Sequence, residues 1–364
     1  MSADVVLRGV RPMAAGGPVD VLVRAGFIER VAPGIVPPAG ASVVDGAGGI
    51  LLPALVDAHM HRDKTFWGLP WRAHVAGPTT RERIENERRL RRELALPADV
   101  QAERLVRQAV SRGTLHIRSH VDVDTEIGLR NFEGVMTARG RLRDLVSIQV
   151  VAFPQSGVVT RPGTAELLEQ AVKDGAELIG GVDPTGIDRD AAGQLDVVFG
   201  IAGRYGAGVD IHLHDGGPEG AAQIRMIAER TRALGLAGKV AVSHAFCLGM
   251  VDERELEGLL ALLREQRIAI MTTAPGDRPT PPVRRLREAG VTVGAGSDGV
   301  RDAWTPLGNA GVLGLAGYGL EVSCRADLVV VPGETLGEIV AMRPPRALVI
   351  SGGRVVARDG QCAA

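Results

Sequence analysis

Residues 51–61 read LLPALVDAHMH, an apolar run that ends in a pair of histidines, His59 and His61. A short apolar run of this kind predicts a buried strand. Side chains two positions apart in a strand point to the same face, so the two imidazoles face the same way. The segment therefore predicts a core strand whose C-terminal end carries two groups able to hold one metal ion.

Three more apolar runs end in the same manner, at His212, His244 and Asp298. Imidazole nitrogen combined with carboxylate oxygen suits a borderline divalent metal such as zinc or iron. The repeated pattern favours a hydrolytic enzyme.

Eight apolar runs in the middle of the chain alternate with segments that have the residue pattern of helices. Strands separated by helices imply parallel pairing, and eight such units close into a (β/α)₈ TIM barrel, an α/β fold. The polar residues above end their strands, where such barrels hold their chemistry. An open doubly wound sheet is the alternative, but no Gly-rich phosphate loop follows the first strand. The runs are 55–61, 115–123, 147–155, 176–184, 208–214, 240–246, 268–275 and 291–299.

Both ends of the chain read as short strands separated by Gly and Pro turns. Neither group is long enough to bury a core alone, so we expect residues 1–50 and 320–364 to join in one small β-sandwich. Residues 51–319 then form the barrel domain. The predicted terminal strands are 5–8, 19–24, 27–31, 41–45, 327–331 and 348–356.

Composition narrows the setting in which the protein works. A hydrophobic content of 45% allows a full core, and a net charge of −1 indicates neither nucleic acid nor an anionic membrane as partner. The three cysteines lie far apart with no CxxC, which fits a reducing compartment. With no signal peptide and no apolar run near the ~20 residues that span a bilayer, we expect a cytoplasmic protein.

A charged stretch at residues 81–92, RERIENERRLRR, lies between predicted strands one and two. A basic run could bind nucleic acid, but its glutamates are spaced for i,i+4 pairs such as Glu85/Arg89 and Glu87/Arg91. We therefore predict a solvated helix, placed where it could form a lid over the site.

The end of the barrel departs from this regular pattern. Strand eight ends near Gly299 and sandwich-like sequence resumes near Glu321, with loop-like sequence around Ala310 and Gly311 between them. An eighth helix of normal length has no obvious place there. Either the chain lacks an eighth helix, or the stretch that would form it is missing from the sequence.

These segments together resemble the amidohydrolase superfamily, and within it the cytosine deaminase-like branch. The resemblance spans nearly the whole chain, and its motifs fall in order on strands one, two, three, five, six and eight. The matching segments are 53–65 (PALVDAHMHRDKT), 116–123 (HIRSHVDV), 150–157 (VVAFPQSG), 210–215 (DIHLHD), 242–244 (VSH), 296–308 (GSDGVRDAWTPLG) and 326–330 (ADLVV).

The resemblance implies that His59, His61, His212 and Asp298 bind one divalent metal ion. Three imidazoles and a carboxylate agree with this, because they leave a coordination position open for water. Predicted strand four carries no Lys. Binuclear relatives use a carboxylated Lys there, so a single ion, zinc or iron, is expected.

The resemblance also implies roles for residues around the ion, which would lower the pKa of a water molecule from about 15.7 to near 7. His244 and Asp298 are expected to take and pass the proton of that water. Asp215 stands where the family has a Glu that protonates the ring nitrogen. Three residues are expected to bind the substrate: Gln155 by hydrogen bonds, Trp304 as an aromatic wall, and Phe153 beside it.

The chain departs from the cytosine enzymes at several of these positions. Asp215 is one methylene shorter than the family Glu, and Gly299 stands where a second Asp is usual. His214 replaces a small or acidic residue beside the site. These changes are compatible with the same type of reaction but do not favour cytosine as the substrate.

Other polar residues near these motifs have two readings each. His120 and Asp122 are expected either to orient a ligand imidazole or to pack structurally. Asp63 is expected to lie near the metal or to hold its loop, and Lys64 to pair with a carboxylate.

Two hypotheses from different classes follow. The first is a metal-dependent hydrolase of C–N bonds in a small cyclic amidine or amide. Deamination of a nitrogen heterocycle is the preferred form, and release of an alkylamine or lactam opening is the alternative. The second is a non-catalytic barrel used as an interaction scaffold. The expected partner is a small heterocyclic substrate, in a chain that could form a homo-oligomer.

Overall fold

The computed structural model describes residues 4–73, 76–274, 278–311 and 320–363. The strands of these residues are β1 Val5–Pro12, β2 Val19–Arg24, β3 Phe27–Ala32, β4 Ser42–Asp45, β5 Ile50–Pro53, β6 Leu55–His61, β7 Thr114–Asp122, β8 Ser147–Phe153, β9 Leu178–Val182, β10 Gly208–Leu213, β11 Val240–His244, β12 Ala269–Thr272, β13 Val293–Ala295, β14 Leu328–Val331, β15 Leu348–Ser351, β16 Arg354–Arg358 and β17 Gln361–Cys362.

The helices of the same residues cover the barrel and one side of the terminal sheet. They are α1 Thr80–Leu94, α2 Ala98–Ser111, α3 Arg130–Leu142, α4 Thr164–Lys173, α5 Ala191–Tyr205, α6 Gly217–Ala233, α7 Glu253–Glu265, α8 Val283–Glu288 and α9 Leu336–Met342, with a 3₁₀ turn at Phe246–Gly249.

The eight predicted barrel strands form one parallel sheet in the order β13-β12-β11-β10-β9-β8-β7-β6. The sheet closes where the ends of β6 and β13 meet. The Asp298 N–H donates to the carbonyl of His59 at 2.8 Å, and the His61 N–H donates to the carbonyl of Asp298 at 3.2 Å. The predicted (β/α)₈ barrel is confirmed, and its closure brings three candidate ligands together.

The strands at the two ends of the chain pair in a separate nine-stranded sheet. Its path is β17-β16-β15-β14-β5-β1-β2-β3, with β4 beside β1. The antiparallel pair β5–β14 joins the N-terminal half to the C-terminal half. The sheet has its own apolar core, made of residues such as Leu7, Val21, Leu328 and Ile350. Both ends of the chain thus contribute to one β unit, while the domain boundaries stay a prediction.

The barrel core lies between the strands and the helices that follow them. Apolar faces of α2, α5 and α7 bury Leu105, Leu195 and Leu259 against the sheet. Such alternation of buried strands and one-sided helices is what the sequence pattern predicts. The chemistry is thereby left to the loops at the C-terminal ends of the strands.

The charged stretch forms α1, inside an excursion of residues 62–96 between β6 and α2. Thr79 and Glu82 form a capping box at its start. Arg91 lies 3.9 Å from Glu87, as predicted, whereas Arg89 pairs with Glu93 rather than Glu85. The helix is not solvated on every side, since Glu87 is only 2% exposed. Its inner side faces the pocket described below.

The segment after strand eight holds no helix in its described parts, residues 300–311 and 320–327. Residues 312–319, where the question of an eighth barrel helix falls, lie outside the described residues. The predicted strand 348–356 is instead a hairpin, because Gly352 and Gly353 turn the chain between β15 and β16.

Each helix that the structure describes is too short or too polar to cross a lipid bilayer. Cytoplasmic location and oligomeric state stay predictions.

Candidate active site

Four predicted metal ligands converge at the C-terminal mouth of the barrel. The His61 Nε2 atom lies 3.2 Å from His212 Nε2 and 3.4 Å from Asp298 Oδ1. His59 Nε2 lies 3.5 Å from the same Asp298 oxygen. Two ligands bound at about 2.0–2.1 Å to a tetrahedral ion lie about 3.3 Å apart. The spacing therefore fits one shared ion.

The hydrogen bonds behind His59 select the tautomer that binds a metal. Its Nδ1 lies 2.9 Å from the Ser243 hydroxyl, which donates to Asp210 Oδ1 at 2.7 Å. Because the hydroxyl proton goes to Asp210, the Ser243 oxygen accepts from Nδ1–H. The lone pair of His59 is then on Nε2, a buried atom without a hydrogen-bond partner. These residues fit a bound divalent ion.

Burial sets the charge of the cluster. It lowers the pKa of His61 and of His212 well below the usual imidazole value, with the charges of Lys64 and His59 adding to the effect. Burial alone would raise the pKa of Asp298, but the adjacent His59 and the other nearby imidazoles hold it well below its usual range. Neutral imidazoles beside a carboxylate are the protonation states that metal binding requires.

His244 ends β11 beside this cluster. One of its ring nitrogens lies within 4.8 Å of ligand atoms of His59 and Asp298. Its backbone is in the left-handed region, with φ of 69°, which is uncommon for a residue other than glycine. The ring is buried and lines the pocket, as Asp298 does, so both side chains border the space for a substrate.

A pocket of about 560 Å³ opens over the cluster. Of the residues predicted from the sequence, it is lined by His61, Gln155, His212, His244, Asp298 and Trp304. Lys64, His214, Phe246 and Asp302 also line it. Its volume suits a small heterocycle with a substituent.

Gln155 and Trp304 are held in the pocket wall by hydrogen bonds from behind. The Lys64 ammonium donates to Gln155 Oε1 at 2.6 Å, and also pairs with Glu87 and Asp122 at 3.0 Å each. The Trp304 Nε1–H donates to Glu87 Oε2 at 2.5 Å. Lys64 thus pairs with carboxylates, as expected from the sequence.

Phe153 lies behind the ligands rather than in the pocket lining. Its ring is fully buried and stacks on the His212 ring, with 4.1 Å between centroids. A substrate contact of Phe153 stays a prediction, and this position does not favour it, because Phe153 ends β8 with its ring packed against an imidazole. It supports the orientation of His212.

Asp215 also lies outside the pocket lining. Its Oδ2 accepts hydrogen bonds from the Gly186 N–H at 3.1 Å and from Gln223 Nε2 at 2.8 Å. Burial and the charge of Asp183 raise its pKa. The role of Asp215 as an acid stays a prediction, and this geometry does not favour it, since the carboxylate is turned to the loop after β9 and to α6.

His214 occupies the place in the wall that was expected for Asp215. Its Nδ1 lies 2.9 Å from Asp183 Oδ2, and its ring stacks on His244 with 4.3 Å between centroids. Burial alone would lower the pKa of His214, but the charge and hydrogen bond of Asp183 outweigh it and the pKa is raised. His214 follows the last residue of β10, Leu213, and lies two positions after His212, so its side chain is on the same side of the chain as that of His212. The pairing of Asp183 with His214 was not found from the sequence.

The remaining polar residues divide between packing and loop support. The His120 ring lies 4.1 Å from the His59 ring, and its Nε2 is 3.8 Å from Asp210, too long for a hydrogen bond. Asp63 accepts from the Asp122 N–H at 3.1 Å and from Asn131 at 2.7 Å. His120 therefore packs against a ligand, and Asp63 ties the excursion to the barrel.

Known proteins are similar to this chain in sequence and in fold. The family model described as "Amidohydrolase family" matches residues 42–311. The crystal structure of N-isopropylammelide isopropylaminohydrolase from Burkholderia multivorans ATCC 17616 superposes with a TM-score of 0.95 at 43% sequence identity, covering 99% of this chain and 100% of that one.

Two curated proteins show the same likeness in sequence. N-isopropylammelide isopropyl amidohydrolase of Pseudomonas sp. (strain ADP) is 31% identical, over 87% of this chain and 88% of that protein. Pterin deaminase of Rhizobium rhizogenes (strain K84) is 28% identical, over 80% of this chain and 69% of that protein.

Proposed function

Since the chain belongs to the amidohydrolase family and is a hydrolase of C–N bonds, we propose that it releases a small alkylamine from a ring carbon of an oxygen-substituted nitrogen heterocycle, such as an N-alkylated triazine. The observation that carries this is the 43% identity over 99% of the chain to a hydrolase of N-isopropylammelide. The water oxygen bonds to the ring carbon, the exocyclic C–N bond breaks, and the amine leaves with the water proton.

In this proposal His59, His61, His212 and Asp298 hold one divalent ion, zinc or iron, since imidazole and carboxylate ligands suit both metals. The ion would supply Lewis acidity that lowers the pKa of a water molecule at neutral pH. Phe153 and Ser243 keep two of the imidazoles oriented from behind. The scaffold hypothesis has no support here, because the ligand set is complete.

Proton transfer is assigned to His244, Asp298 and His214. Asp298 and His244 lie where a proton can be taken from the attacking water and passed on. His214, whose other ring nitrogen is held by Asp183, faces the pocket and delivers a proton to the ring nitrogen or the leaving amine. This assignment replaces Asp215, since the Asp215 carboxylate is engaged elsewhere.

Recognition of the ring is assigned to Gln155 and Trp304. Because Lys64 donates to the Gln155 carbonyl, the NH₂ end of that amide is the end left for the substrate. An NH₂ group donates, so the substrate offers an acceptor there, such as a ring carbonyl. Trp304 supplies a flat apolar face for the ring.

Release of ammonia from a similar ring is the second candidate, favoured by the likeness to pterin deaminase. It breaks the same type of bond and uses the same residues. The two candidates differ in the room they need around the leaving nitrogen, and a pocket volume of about 560 Å³ supports the candidate that carries an alkyl group.

The test is a product assay with protein shown by elemental analysis to hold close to one zinc or iron per chain. N-isopropylammelide, pterin and cytosine are incubated separately, and amines are derivatised and identified by mass spectrometry. We expect isopropylamine from the first. If pterin alone reacts and releases ammonia, the protein is a deaminase, which is the second candidate. If the metal-loaded protein acts on none of the three compounds, the proposal is refuted.

A further inference from the structure

Helix α1 places a buried carboxylate directly behind the pocket wall. Glu87 is 2% exposed, although α1 is otherwise rich in exposed charges. Its Oε2 accepts from Trp304 Nε1 at 2.5 Å and lies 3.0 Å from Lys64 Nζ. Both partners line the pocket. A carboxylate removed from water in this way is costly unless its partners are charged or donate hydrogen bonds.

The contact with Trp304 decides how the indole is oriented. Trp304 lies in a loop without helix or strand, held at its backbone by the Asp302 carboxylate at 2.8 Å. The hydrogen bond to Glu87 fixes the other end of the side chain. With both ends fixed, the indole keeps one face toward the pocket.

The contact with Lys64 reaches the opposite part of the wall. The Lys64 ammonium donates to Gln155 Oε1 at 2.6 Å and to Asp122 Oδ1 at 3.0 Å. Glu87 and Asp122 therefore hold the ammonium from two sides, and the ammonium in turn fixes the Gln155 amide. One carboxylate on α1 thus connects the aromatic wall to the amide that faces the ring.

We propose that Glu87 is a positioning residue that sets substrate specificity by holding Trp304 and Lys64, and through Lys64 the amide of Gln155. The inference rests on the proposed function, because it assigns the binding of a flat ring to the Trp304–Gln155 wall. It makes α1 a part of the binding site rather than a solvated cover. Glu87 does not itself touch the substrate.

The main variant is Glu87→Gln, which keeps the shape and removes the charge shared by two donors. Both donors approach Oε2, so an amide oxygen there can still accept from them, but it lacks the charge that holds the Lys64 ammonium. We expect KM for the substrate to rise about tenfold or more, with kcat changed less than about threefold. Glu85→Gln, on the exposed side of the same helix, is the matched control and is expected to behave as wild type.

Trp304→Phe removes the same contact from the other side and guards against a folding defect in the first variant. The double variant should lose little more than the worse single variant, since the two residues act through one hydrogen bond. Unchanged KM in Glu87→Gln, a fall in kcat at unchanged KM, or fully additive losses would each overturn the proposal.

A readout without substrate separates this inference from the proposed function. In a Trp67→Phe/Trp71→Phe background, Trp304 is the remaining tryptophan of the chain, which has three. Its emission maximum should shift on Glu87→Gln and stay fixed on Glu85→Gln. If the wild type turns over none of the candidate rings, the proposed function fails, while a shifted emission still supports the Glu87 contact. An unshifted emission refutes the contact whatever the activity.

Discussion

At the scale of single residues, His59 is prepared for metal binding by groups that never touch the metal. The Ser243 oxygen accepts a hydrogen bond from His59 Nδ1–H, and the Ser243 hydroxyl donates one to Asp210. Asp210 also accepts a hydrogen bond from Arg118 Nη1 at 2.9 Å. The chain Arg118–Asp210–Ser243–His59 holds the imidazole in one tautomer and one orientation. The cost of losing such a partner appears in metal affinity.

We therefore expect Ser243→Ala to weaken metal affinity about 10–100-fold, because His59 loses the acceptor that fixes its tautomer. Competition with a chelating dye measures the affinity directly. Ser111→Ala is the matched control, since Ser111 is equally buried but bonds to a backbone carbonyl of α2. Equal affinities of the two variants would contradict the assignment.

The correction of Asp215 to His214 is tested by a pair of neighbouring substitutions. His214→Asn keeps an N–H for Asp183 but removes the ring nitrogen that faces the pocket, so kcat should fall about 10²–10⁴-fold. Asp215→Asn keeps the shape of a side chain that lies outside the pocket, so kcat should stay within a few-fold of wild type. Large loss in Asp215→Asn with little in His214→Asn would restore the original prediction.

At the scale of elements, the contact of β6 with β13 is close enough to require glycine. A Cβ added to Gly296 would lie 2.5 Å from both the Cβ and the carbonyl oxygen of His59. The carbonyl oxygen belongs to the backbone of β6 and the Cβ is bonded directly to it, so neither atom can yield without moving β6. Closure of the barrel and the spacing of the proposed metal ligands thus both require that residue 296 has no side chain.

Gly296→Ala is expected to lower the free energy of unfolding by about 1–3 kcal/mol and to reduce metal content as well. Urea unfolding and elemental analysis of the purified protein measure the two effects. Gly258→Ala on α7 is the control, because nothing lies within 4 Å of a Cβ there, and helix propensity favours alanine by roughly 0.5–1 kcal/mol. If Gly296→Ala keeps a metal content near that of wild type, the spacing of the ligands does not depend on the close contact that closes the barrel.

The sequence predicted elements well where a local pattern decides them. Apolar runs ending in His59, His212 and Asp298 gave strands and a ligand cluster, because parallel barrel strands all present their C-terminal ends at one mouth. The burial of Glu87 could not be predicted, since its partner Trp304 is distant in sequence. The position of His214 in the pocket wall could not be predicted either, since its partner Asp183 follows the neighbouring strand β9.

At the scale of the whole molecule, Asp327 joins the terminal sheet to the barrel. Its carboxylate accepts from the Gly352 N–H at 2.8 Å and from Arg325 Nε at 2.9 Å. It also lies 3.3 Å from His116 Nε2 on barrel strand β7. Burial alone would raise its pKa, but the hydrogen bonds of His116 and Gly352 and the charge of Arg325 outweigh it, and the pKa is lowered.

Because the pKa of Asp327 is lower in the folded state, the unfolded chain binds the proton more tightly than the folded chain. The stabilisation from Asp327 is therefore present above the unfolded-state pKa of about 3.9. It is lost as the pH falls through the folded-state pKa. Asp327→Asn should cost about 1–3 kcal/mol at pH 7, and the gap to wild type should narrow below about pH 4. Urea unfolding across pH 7 to 3.5 measures the gap. Asp359→Asn, at an exposed turn of the same sheet, is the control. A gap independent of pH would contradict the linkage.

The excursion of residues 62–96 leaves the barrel directly after His61 and returns before α2 packs. It supplies Lys64 to the pocket lining and Glu87 behind it, while the proposed ligands lie on or just after β6, β10 and β13. Selection can therefore vary the bound ring through one contiguous piece of chain while the reactive centre stays on the barrel. For a protein engineer, the same piece is a place to change specificity, provided that the Lys64–Glu87 pair and the contacts of Asp63 with the barrel are kept.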